Sequence, residues 1–571
     1  MSREALASLP DLRAWLVAAP LAVALPPLLA FNLPPSSTFL NQAAALIGWS
    51  VWLLLLAGML PRPTRPGPGL ASLQGVFGLI ALAALGSMIW AGLPGSLGLS
   101  ALGLLAAAAL TAWIAAALRS AGHGERAFEA FCGALVLAGA LSSVVGLVQA
   151  FAPDLADGFW VAATGAGGRA VGNLRQPNHL SSLLLWAMIA VVPLLRTRRL
   201  PWALAVPLCG LMLFGVVLTG SRTGLLGTLL LAAWGALDRS LERRTRLLLV
   251  LTPVAGALLW LGMAEWARLH DTVFAGEAQL RQSDPSSSRF GIWKNTLTLI
   301  AMHPWLGVGF GEFNFAWTLT PFPGRPVAFF DHTHNLELQL AVELGLPLAA
   351  LVLALLARAL WEAWRAARAA PALRAALVLV LMAALHSQFE YPLWYAYFLL
   401  PAAFAFGLCL GAPASGAAAG RWPVGMAAAL LLLLGSLASV ADYWRVVVIF
   451  QPPAGAPSLA QRIEEGRRSW LFGHHGDYAA ATVAEHPSQV MPAFERATHY
   501  LLDTRLMMAW ANALAEAGQI DRARHLAQRL REFRNEQAAE YFAVCDNAPM
   551  ADRRPYQCVP PAVQLDYRAF K

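Results

Sequence analysis

Charged residues are scarce in this 571-residue sequence: Asp, Glu, Lys and Arg together make up only 13% of it, whereas 58% of the residues are hydrophobic. Soluble domains typically contain about 25% charged residues. The composition therefore excludes an ordinary soluble enzyme and predicts a chain that faces membrane lipids over most of its length. The net charge is +8, but the Arg residues form short clusters between apolar runs. That pattern is typical of cytoplasmic loops, so we predict no nucleic-acid partner.

Cysteine is also scarce, with five residues in the chain. Cys132, Cys209 and Cys409 lie in apolar runs, where a thiol is usually an inert packing group. Cys545 and Cys558 lie in the polar C-terminal region and are too far apart for a CxxC motif. They can form a disulfide if that region is exported.

Long apolar runs dominate what is present. A helix that crosses about 30 Å of hydrocarbon needs about 20 residues, and about thirteen runs approach that length. The first is counted as a span because the N-terminus lacks a cleavable signal-peptide pattern. The runs are 14–31, 43–60, 72–92, 98–118, 127–151, 179–195, 201–218, 223–237, 247–264, 346–363, 375–389, 394–411 and 424–441. The sequence thus predicts an all-α polytopic membrane protein with about 12–13 transmembrane helices.

Arginine clusters follow every second apolar run. They comprise Arg62, Arg65, Arg119, Arg126, Arg196, Arg198, Arg199, Arg239, Arg243, Arg244, Arg246, Arg365, Arg368, Arg374 and Arg421. By the positive-inside rule, these connections are cytoplasmic. The connections without such clusters, and everything after residue 441, are then predicted to be exported. We predict a transmembrane region at 1–441 that includes a large periplasmic loop at 265–345. A helical periplasmic region follows at 442–571; its helices are predicted at 477–485, 503–517 and 519–540, and a TPR-like arrangement is one interpretation.

The exported segments carry the polar motifs, and one of them contains two histidines. Residues 331–335 read DHTHN, with His332 and His334, directly before an apolar helix. A neutral His can accept a proton from a hydroxyl near neutral pH. A compatible structural interpretation is that Asp331 or Thr333 caps the helix. A zinc site is a third interpretation, but the pair supplies only two ligands, and we predict no metal.

Two arginines stand out on the same side. Arg222 lies between two apolar spans, where a charge is costly unless it is paired or functional; the alternative is a snorkelling side chain. Arg289 lies at the start of a predicted amphipathic helix. A guanidinium offers two parallel donors that match phosphate oxygens. Both residues therefore suit a diphosphate, although spacing alone does not show that they converge.

Two further polar segments interrupt apolar runs. Residues 173–179 contain Arg175, Gln176, Asn178 and His179. Amides and Arg suit sugar hydroxyls or phosphate, and a cap at the membrane entry is the equally good structural alternative. Glu390 and Tyr391 form the second segment. Tyr is typical of the aromatic belt, whereas Glu390 is suited to orienting a His or pairing with an Arg.

Taken in order, these segments resemble one family. They read RQPNH, GSRTG, SSRFGIWKN with HPWLGVGFGEFN, DHTHNLELQLAVELG and HSQFEYPLWYAYFLLP. The set, within residues of about 20 to 412, resembles the bacterial pilin-type O-oligosaccharyltransferases (PglL-type) of the O-antigen ligase superfamily. The HTHN-to-ELG stretch and the Arg segments are shared with O-antigen ligases. RQPNH, FEYPLWYAY and the long C-terminal region are typical of the protein-glycosylating branch.

The resemblance implies a glycosyltransferase of the bacterial inner membrane with its active site facing the periplasm. It would move a glycan from an undecaprenyl-diphosphate carrier to Ser or Thr of an exported acceptor such as a pilin, without a cofactor. His334 is the implied general base, because the family places its essential His directly before Asn. Arg222, Arg289 and Arg175 would bind the diphosphate. The implied sugar or acceptor site comprises Gln176, Asn178, His179, His332, Asn335, Glu390 and Tyr391.

One segment departs from the family. The family often has an acidic residue after Asn in the first exported loop, where this chain reads Phe39-Leu40-Asn41-Gln42. Any role of that loop is therefore in doubt.

Three other functions fit parts of the pattern. An O-antigen ligase acting on lipid A-core and a glycan polymerase belong to the same superfamily, but the long C-terminal region favours a protein acceptor. A transporter of polyprenyl-linked sugar would place ionisable groups at mid-membrane, often within inverted repeats. This sequence shows no such repeat, and its polar motifs cluster on one face.

Overall fold

Helices account for 72% of the computed structural model, and the all-α prediction is confirmed. No strand occurs among the residues that the structure describes. These residues are 17–62, 65–165, 168–274, 276–278, 285–413, 420–546 and 554–571.

Eight helices are long and apolar enough to cross a membrane. They are Phe39–Ala57, Pro68–Trp90, Gly95–Ser120, Gly124–Phe151, Pro177–Arg196, Trp202–Thr219, Leu346–Ala369 and Pro423–Phe450. A ninth candidate is a bent pair, Arg243–Val250 and Thr252–Leu269, with 43° between its parts. These counts refer to the described part of the chain, which forms a multi-pass membrane protein as the sequence predicts.

The remaining predicted runs form shorter helices. Arg222–Leu237, Arg374–His386 and Ala396–Leu410 are apolar but have 13 to 16 residues each. The first run, 14–31, begins outside the described residues and is helical only at 17–23 and Leu25–Leu28. Pro26 and Pro27 lack the N–H groups that would continue the first helix. This run is therefore not one straight span in its described part.

The described chain divides into two compact units, each assembled from separate segments. One comprises residues 1–77, 104–283 and 355–437; the other comprises 78–103, 284–354 and 438–571. In the first unit Phe404 is fully buried at the centre of an aromatic cluster, with ring centroids 5.0 Å from Phe131, 5.1 Å from Trp52 and 5.5 Å from Trp49. These large side chains supply much of the packing energy of that unit.

In the second unit, the C-terminal region shares its hydrophobic core with helix Phe313–Leu319. The ring of Trp317 lies 5.7 Å from that of Phe533. Polar contacts join the same elements: His525 Nε2 donates to Leu319 O at 2.7 Å, and Leu502 N donates to Asn314 Oδ1 at 2.8 Å. The C-terminal helices are thus built onto the segment that also carries His334. The division into 1–441 and 442–571 stays a prediction.

The C-terminal region is helical, as predicted. Its α-helices are Leu459–Arg467, Gly473–Val483, Met491–Ala497, Thr504–Glu516, Ile520–Phe533 and Ala539–Ala543. The predicted helix 519–540 is wrong at its end. Arg534 adopts a left-handed conformation (φ 49°) that ends the helix, and the Asn535 side chain caps the short turn that follows.

Candidate active site

His334 lies in a tight turn directly before helix Leu336–Leu344. Its backbone is left-handed, with φ 56°, a conformation that costs a non-glycine residue about 1–2 kcal/mol. Asn335 is the N-cap of the helix, because its Oδ1 accepts from Leu338 N at 2.9 Å. The alternative that Asp331 or Thr333 caps this helix is therefore wrong. The cap and the turn together fix the backbone that carries the imidazole.

Thr333, which precedes His334, stabilises the same turn through three hydrogen bonds. Its hydroxyl donates to Asn335 O at 2.8 Å, and its N–H donates to Gln339 Oε1 at 2.8 Å. Its carbonyl oxygen accepts from Trp293 Nε1 at 2.9 Å. Thr333 is fully buried, so each of these bonds is shielded from water and is costly to lose.

Trp293 belongs to helix Pro285–Met302, which also carries Arg289. Residues four apart lie on the same helical face, so Arg289 lies one turn before the indole that bonds to the His334 turn. The predicted helix at this position is confirmed. The structure thus places Arg289 and His334 in the same unit, on elements joined by a hydrogen bond.

The loop between helices Pro285–Met302 and Phe313–Leu319, called the glycine loop below, packs against the C-terminal end of helix Leu336–Leu344. Because His334 lies just before that helix, it is called the His334 helix. Val308 N donates to Val342 O at 2.9 Å, and Leu346 N donates to Pro304 O at 2.7 Å. The loop needs Gly307 (φ 66°) and the helix end needs Gly345 (φ 75°). A Cβ at either position would lie within 2.5 Å of a backbone oxygen, so no other residue fits this approach.

His332 and Asp331 lie in contact beside this turn, with 3.2 Å between Nδ1 and Oδ2. Burial of the Asp331 carboxyl favours its protonated form, but His332 outweighs this and holds the pKa of Asp331 at about 2. The carboxylate therefore stays charged at neutral pH. His334 itself packs edge-on against Phe330, with ring centroids 5.5 Å apart.

A second group of predicted residues meets in the first unit. Asn178 donates through Nδ2 to Glu390 Oε1 at 2.8 Å and accepts through Oδ1 from Ser221 Oγ at 2.6 Å. Ser221 also caps helix Arg222–Leu237 by accepting from Gly224 N at 2.9 Å. Glu390 is 6% exposed, and this bonded amide stabilises the carboxylate there. The chain of bonds joins the RQPNH, GSRTG and FEYP motifs.

Arg222 is exposed at the first position of its helix. Within the described residues it makes no hydrogen bond or ion pair. A cation at the positive end of a helix dipole is unfavourable by about 0.3–1 kcal/mol, while the free N–H groups of a helix N-terminus attract phosphate. Both features suit an anionic ligand at this position.

Three other predicted residues have structural contacts in this unit. Arg175 donates to the carbonyl oxygens of Ala30 and Asn173. Gln176 caps helix Pro177–Arg196 by accepting from His179 N at 2.9 Å. His179 is 3% exposed and packs against the Tyr395 ring, at 4.7 Å between centroids. Their predicted roles towards sugar or phosphate stay proposals, as does that of Tyr391, which stacks on Tyr395 at 6.2 Å.

Sequence reasoning missed two buried amides that hold the backbone of other segments. Gln149, 2% exposed, accepts from the N–H groups of Val171 and Gly172. Asn41 is fully buried and donates to Pro26 O and Leu29 O. The available signal was an amide within the apolar run 127–151 for Gln149 and an amide just before the run 43–60 for Asn41. Asn41, in the segment that departs from the family, therefore has a structural contact here.

Cys545 and Cys558 form a disulfide, with Cα atoms 5.3 Å apart. Cys132, Cys209 and Cys409 are buried free thiols. Across the described ranges, no three His, Cys, Asp or Glu side chains are grouped as a metal ion would require.

The described fold is that of a multi-pass membrane protein, and one of its segments is similar to the O-antigen ligases. Residues 207–353, which contain Arg222, Arg289 and His334, match the family described as O-antigen ligase. Residues 170–195 match the family described as protein glycosylation ligase. Residues 374–545 match the C-terminal part of a family described as virulence factor membrane-bound polymerase.

Two curated relatives from Acinetobacter baylyi carry related names. The "General O-oligosaccharyltransferase" is 27% identical over 251 residues, 42% of this chain and 43% of the relative. The "ComP-specific O-oligosaccharyltransferase" is 24% identical over 258 residues, 44% of this chain and 46% of the relative. The chain thus matches about half the length of each. Together these matches confirm the predicted resemblance to PglL-type O-oligosaccharyltransferases within the O-antigen ligase superfamily.

Proposed function

We propose that the protein is an oligosaccharyltransferase that moves a glycan from an undecaprenyl-diphosphate carrier to Ser or Thr hydroxyls of periplasmic proteins such as pilins. It would act as a multi-pass protein of the bacterial inner membrane, with its reactive residues on the periplasmic side. The observation that carries the proposal is the fixed turn of His334, inside the segment that matches the O-antigen ligases. The names of the two relatives support a protein acceptor.

In this reaction His334 acts as the general base. Its imidazole takes the proton of the acceptor hydroxyl while that oxygen attacks the anomeric carbon of the glycan. The bond from the anomeric carbon to the diphosphate oxygen breaks, and the lipid diphosphate leaves with the bonding electrons. Arg222 and Arg289 stabilise the negative charge of this leaving group. Because a diphosphate already leaves readily and two guanidinium groups compensate its charge, the proposed mechanism is metal-independent.

The other predicted residues have supporting roles in the proposal. Arg175 adds positive charge near the diphosphate. Asn178 bonds to both Glu390 and Ser221 and so holds the RQPNH motif against the GSRTG motif. The remaining members of the proposed sugar or acceptor site are Gln176, His179, His332, Asn335 and Tyr391.

A glycan polymerase is the second candidate function. The match of residues 374–545 to a family described as a membrane-bound polymerase favours it. A polymerase or an O-antigen ligase uses the same donor chemistry but takes a sugar hydroxyl as the acceptor. The nature of the acceptor therefore separates the candidates.

Co-expression with a lipid-linked glycan pathway and a candidate pilin tests the acceptor. We expect the intact mass of the pilin to increase by the mass of the glycan, with the glycan attached to Ser or Thr. Cells that lack this chain and cells that lack the donor pathway are the two controls. Modification of lipid A-core or elongation of the glycan, with the pilin mass unchanged, would contradict a protein acceptor.

The stereochemistry of the product tests the mechanism separately. A single displacement inverts the anomeric carbon, so we expect the glycan–protein linkage to have the configuration opposite to that of the donor. Nuclear magnetic resonance of a released glycopeptide, compared with the purified lipid-linked donor, measures both. Net retention would rule out direct attack by the acceptor hydroxyl.

A further inference from the structure

We propose that Glu343 and Gln339 are positioning residues that keep the His334 turn in its working geometry, and that protonation of Glu343 releases the turn. The inference rests on the proposed function of His334. It concerns two buried side chains of the His334 helix to which the mechanism gives no role.

Glu343 lies at the end of helix Leu336–Leu344, whose N-cap is Asn335, and it is 6% exposed. Its Oε1 accepts from Gln339 Nε2 at 2.9 Å. The backbone N–H groups of Gly311, in the glycine loop, and of Phe313, the first residue of helix Phe313–Leu319, also favour its charged form. One carboxylate thus links the loop to the side chain of Gln339.

Gln339 connects Glu343 to the His334 turn through a second hydrogen bond of its side chain. A carboxylate only accepts hydrogen bonds, so Gln339 must present its NH₂ group to Glu343. Its carbonyl oxygen then faces the other way and accepts from Thr333 N at 2.8 Å. Thr333 is the residue directly before His334. The charge on Glu343 therefore determines whether Thr333 finds an acceptor.

Protonation reverses this arrangement. A neutral carboxyl group donates one hydrogen bond, and the N–H groups of Gly311 and Phe313, which favour the charged form of Glu343, disfavour an O–H directed at them. Its O–H then points to Gln339 and requires the amide oxygen of Gln339 on that side. The NH₂ group of Gln339 turns towards Thr333 N–H, where two donors face each other. The bond that holds the turn is lost.

The pKa of Glu343 places this event in an accessible range. Burial raises it to about 7, although the backbone donors, His332 and Gln339 favour the charged form. Above this pKa Glu343 is charged and the bonded turn is present, and the bond is lost as the pH falls through about 7. Because burial raises the folded pKa above that of an exposed Glu, the folded state takes up this proton at a higher pH than the unfolded chain does. The titratable neighbours on the packed elements are the His332–Asp331 pair and Glu312, whose Oε2 lies 2.7 Å from His499 Nδ1.

The variant Glu343→Gln tests the proposal because it mimics the protonated carboxyl. Its amide oxygen stays on the donors of Gly311 and Phe313, and its NH₂ group faces Gln339. We expect hydrogen exchange at the Thr333 amide at pH 8 to rise by about tenfold, as for loss of one buried hydrogen bond. The kcat of transfer should fall by about tenfold with KM for the acceptor unchanged. The loss of Thr333 amide protection that we expect in the wild type as the pH falls through about 7 should be absent from the variant.

The double variant Gln339→Glu with Glu343→Gln tests whether the hydrogen bond to Thr333 can be restored. The new amide at 343 donates to the new carboxylate at 339, whose second oxygen accepts from Thr333 N. We expect the double variant to regain amide protection and kcat at pH 8. The matched control is Glu540→Gln, the same charge change at an exposed residue of helix Ala539–Ala543, for which both measurements should equal those of the wild type.

The two readouts separate this proposal from the proposed function. Wild-type protein that transfers no glycan would contradict the function, while amide exchange would still report on the link. A Glu343→Gln variant with wild-type protection and rate overturns the link. So does a double variant that is no better than the single variant in protection, rate or thermal stability.

Discussion

Replacing His334 by alanine is expected to abolish glycan transfer. A placed general base contributes about 10²- to 10⁴-fold to the rate. Thr333 and Asn335 are not bases, and the nearby His332 lies against Asp331, with 3.2 Å between Nδ1 and Oδ2. The measurement is the initial rate of acceptor modification by intact mass, with purified full-length protein and lipid-linked donor. A residual rate within threefold of the wild type would remove His334 from the role of base.

A second variant separates chemistry from folding. His334 has φ 56°, a conformation that Asn tolerates better than most residues. The variant His334→Asn should therefore keep the turn and the thermal stability while losing the same rate factor. His486→Ala, at an exposed histidine of the same unit, is the matched control and should transfer at the wild-type rate.

Replacing Arg222 is expected to have the second-largest effect. Loss of one donor aimed at developing negative charge typically costs about 10²- to 10³-fold in rate, and we expect that loss in kcat/KM for the donor with Arg222→Ala. The fold should be unaffected, because Arg222 is exposed and the helix cap is formed by Ser221 and Gly224. Steady-state kinetics with varied lipid-linked donor measure the effect.

Two further substitutions sharpen this test. Arg222→Lys keeps the charge but loses the two parallel donors, so it should recover only part of the activity. Arg244→Ala removes an equally exposed charge from helix Arg243–Val250 of the same unit and should leave kcat/KM unchanged. Equal losses in Arg222→Ala and Arg244→Ala would indicate a general effect of charge rather than a contact with the diphosphate.

The local parts of the site were predictable from sequence. Apolar run lengths located the helices, and the order of the motifs indicated His334, Arg222 and Arg289 as site residues, whose roles stay predictions. The sequence prediction named Asp331 or Thr333 as the helix cap and missed Asn335, although all three residue types cap helices well. That choice depends on where the chain turns, and the left-handed backbone of His334 determines it.

Long-range partners were not predictable. Glu343 and Gln339 look like ordinary polar residues of a helix until the glycine loop covers them. The contact between Trp317 and Phe533 in the shared core was equally unpredictable. Periodicity shows that a helical face is apolar but not which distant face covers it. The Asn178–Glu390 bond joins residues more than 200 positions apart, and no spacing rule reaches that far.

The shared core of the second unit has a consequence for biogenesis. Helix Phe313–Leu319 leaves the ribosome well before Trp510, His525 and Phe533, the side chains that cover it. At 5–20 residues per second, that delay is roughly 10–40 s. During this time the aromatic side chains of the helix are uncovered, and the nascent chain can be bound by chaperones or cleaved by proteases. A ribosome that stalls before the last helices therefore releases a polypeptide whose His334 segment lacks its core, so quality control can remove it before it reaches a lipid-linked sugar.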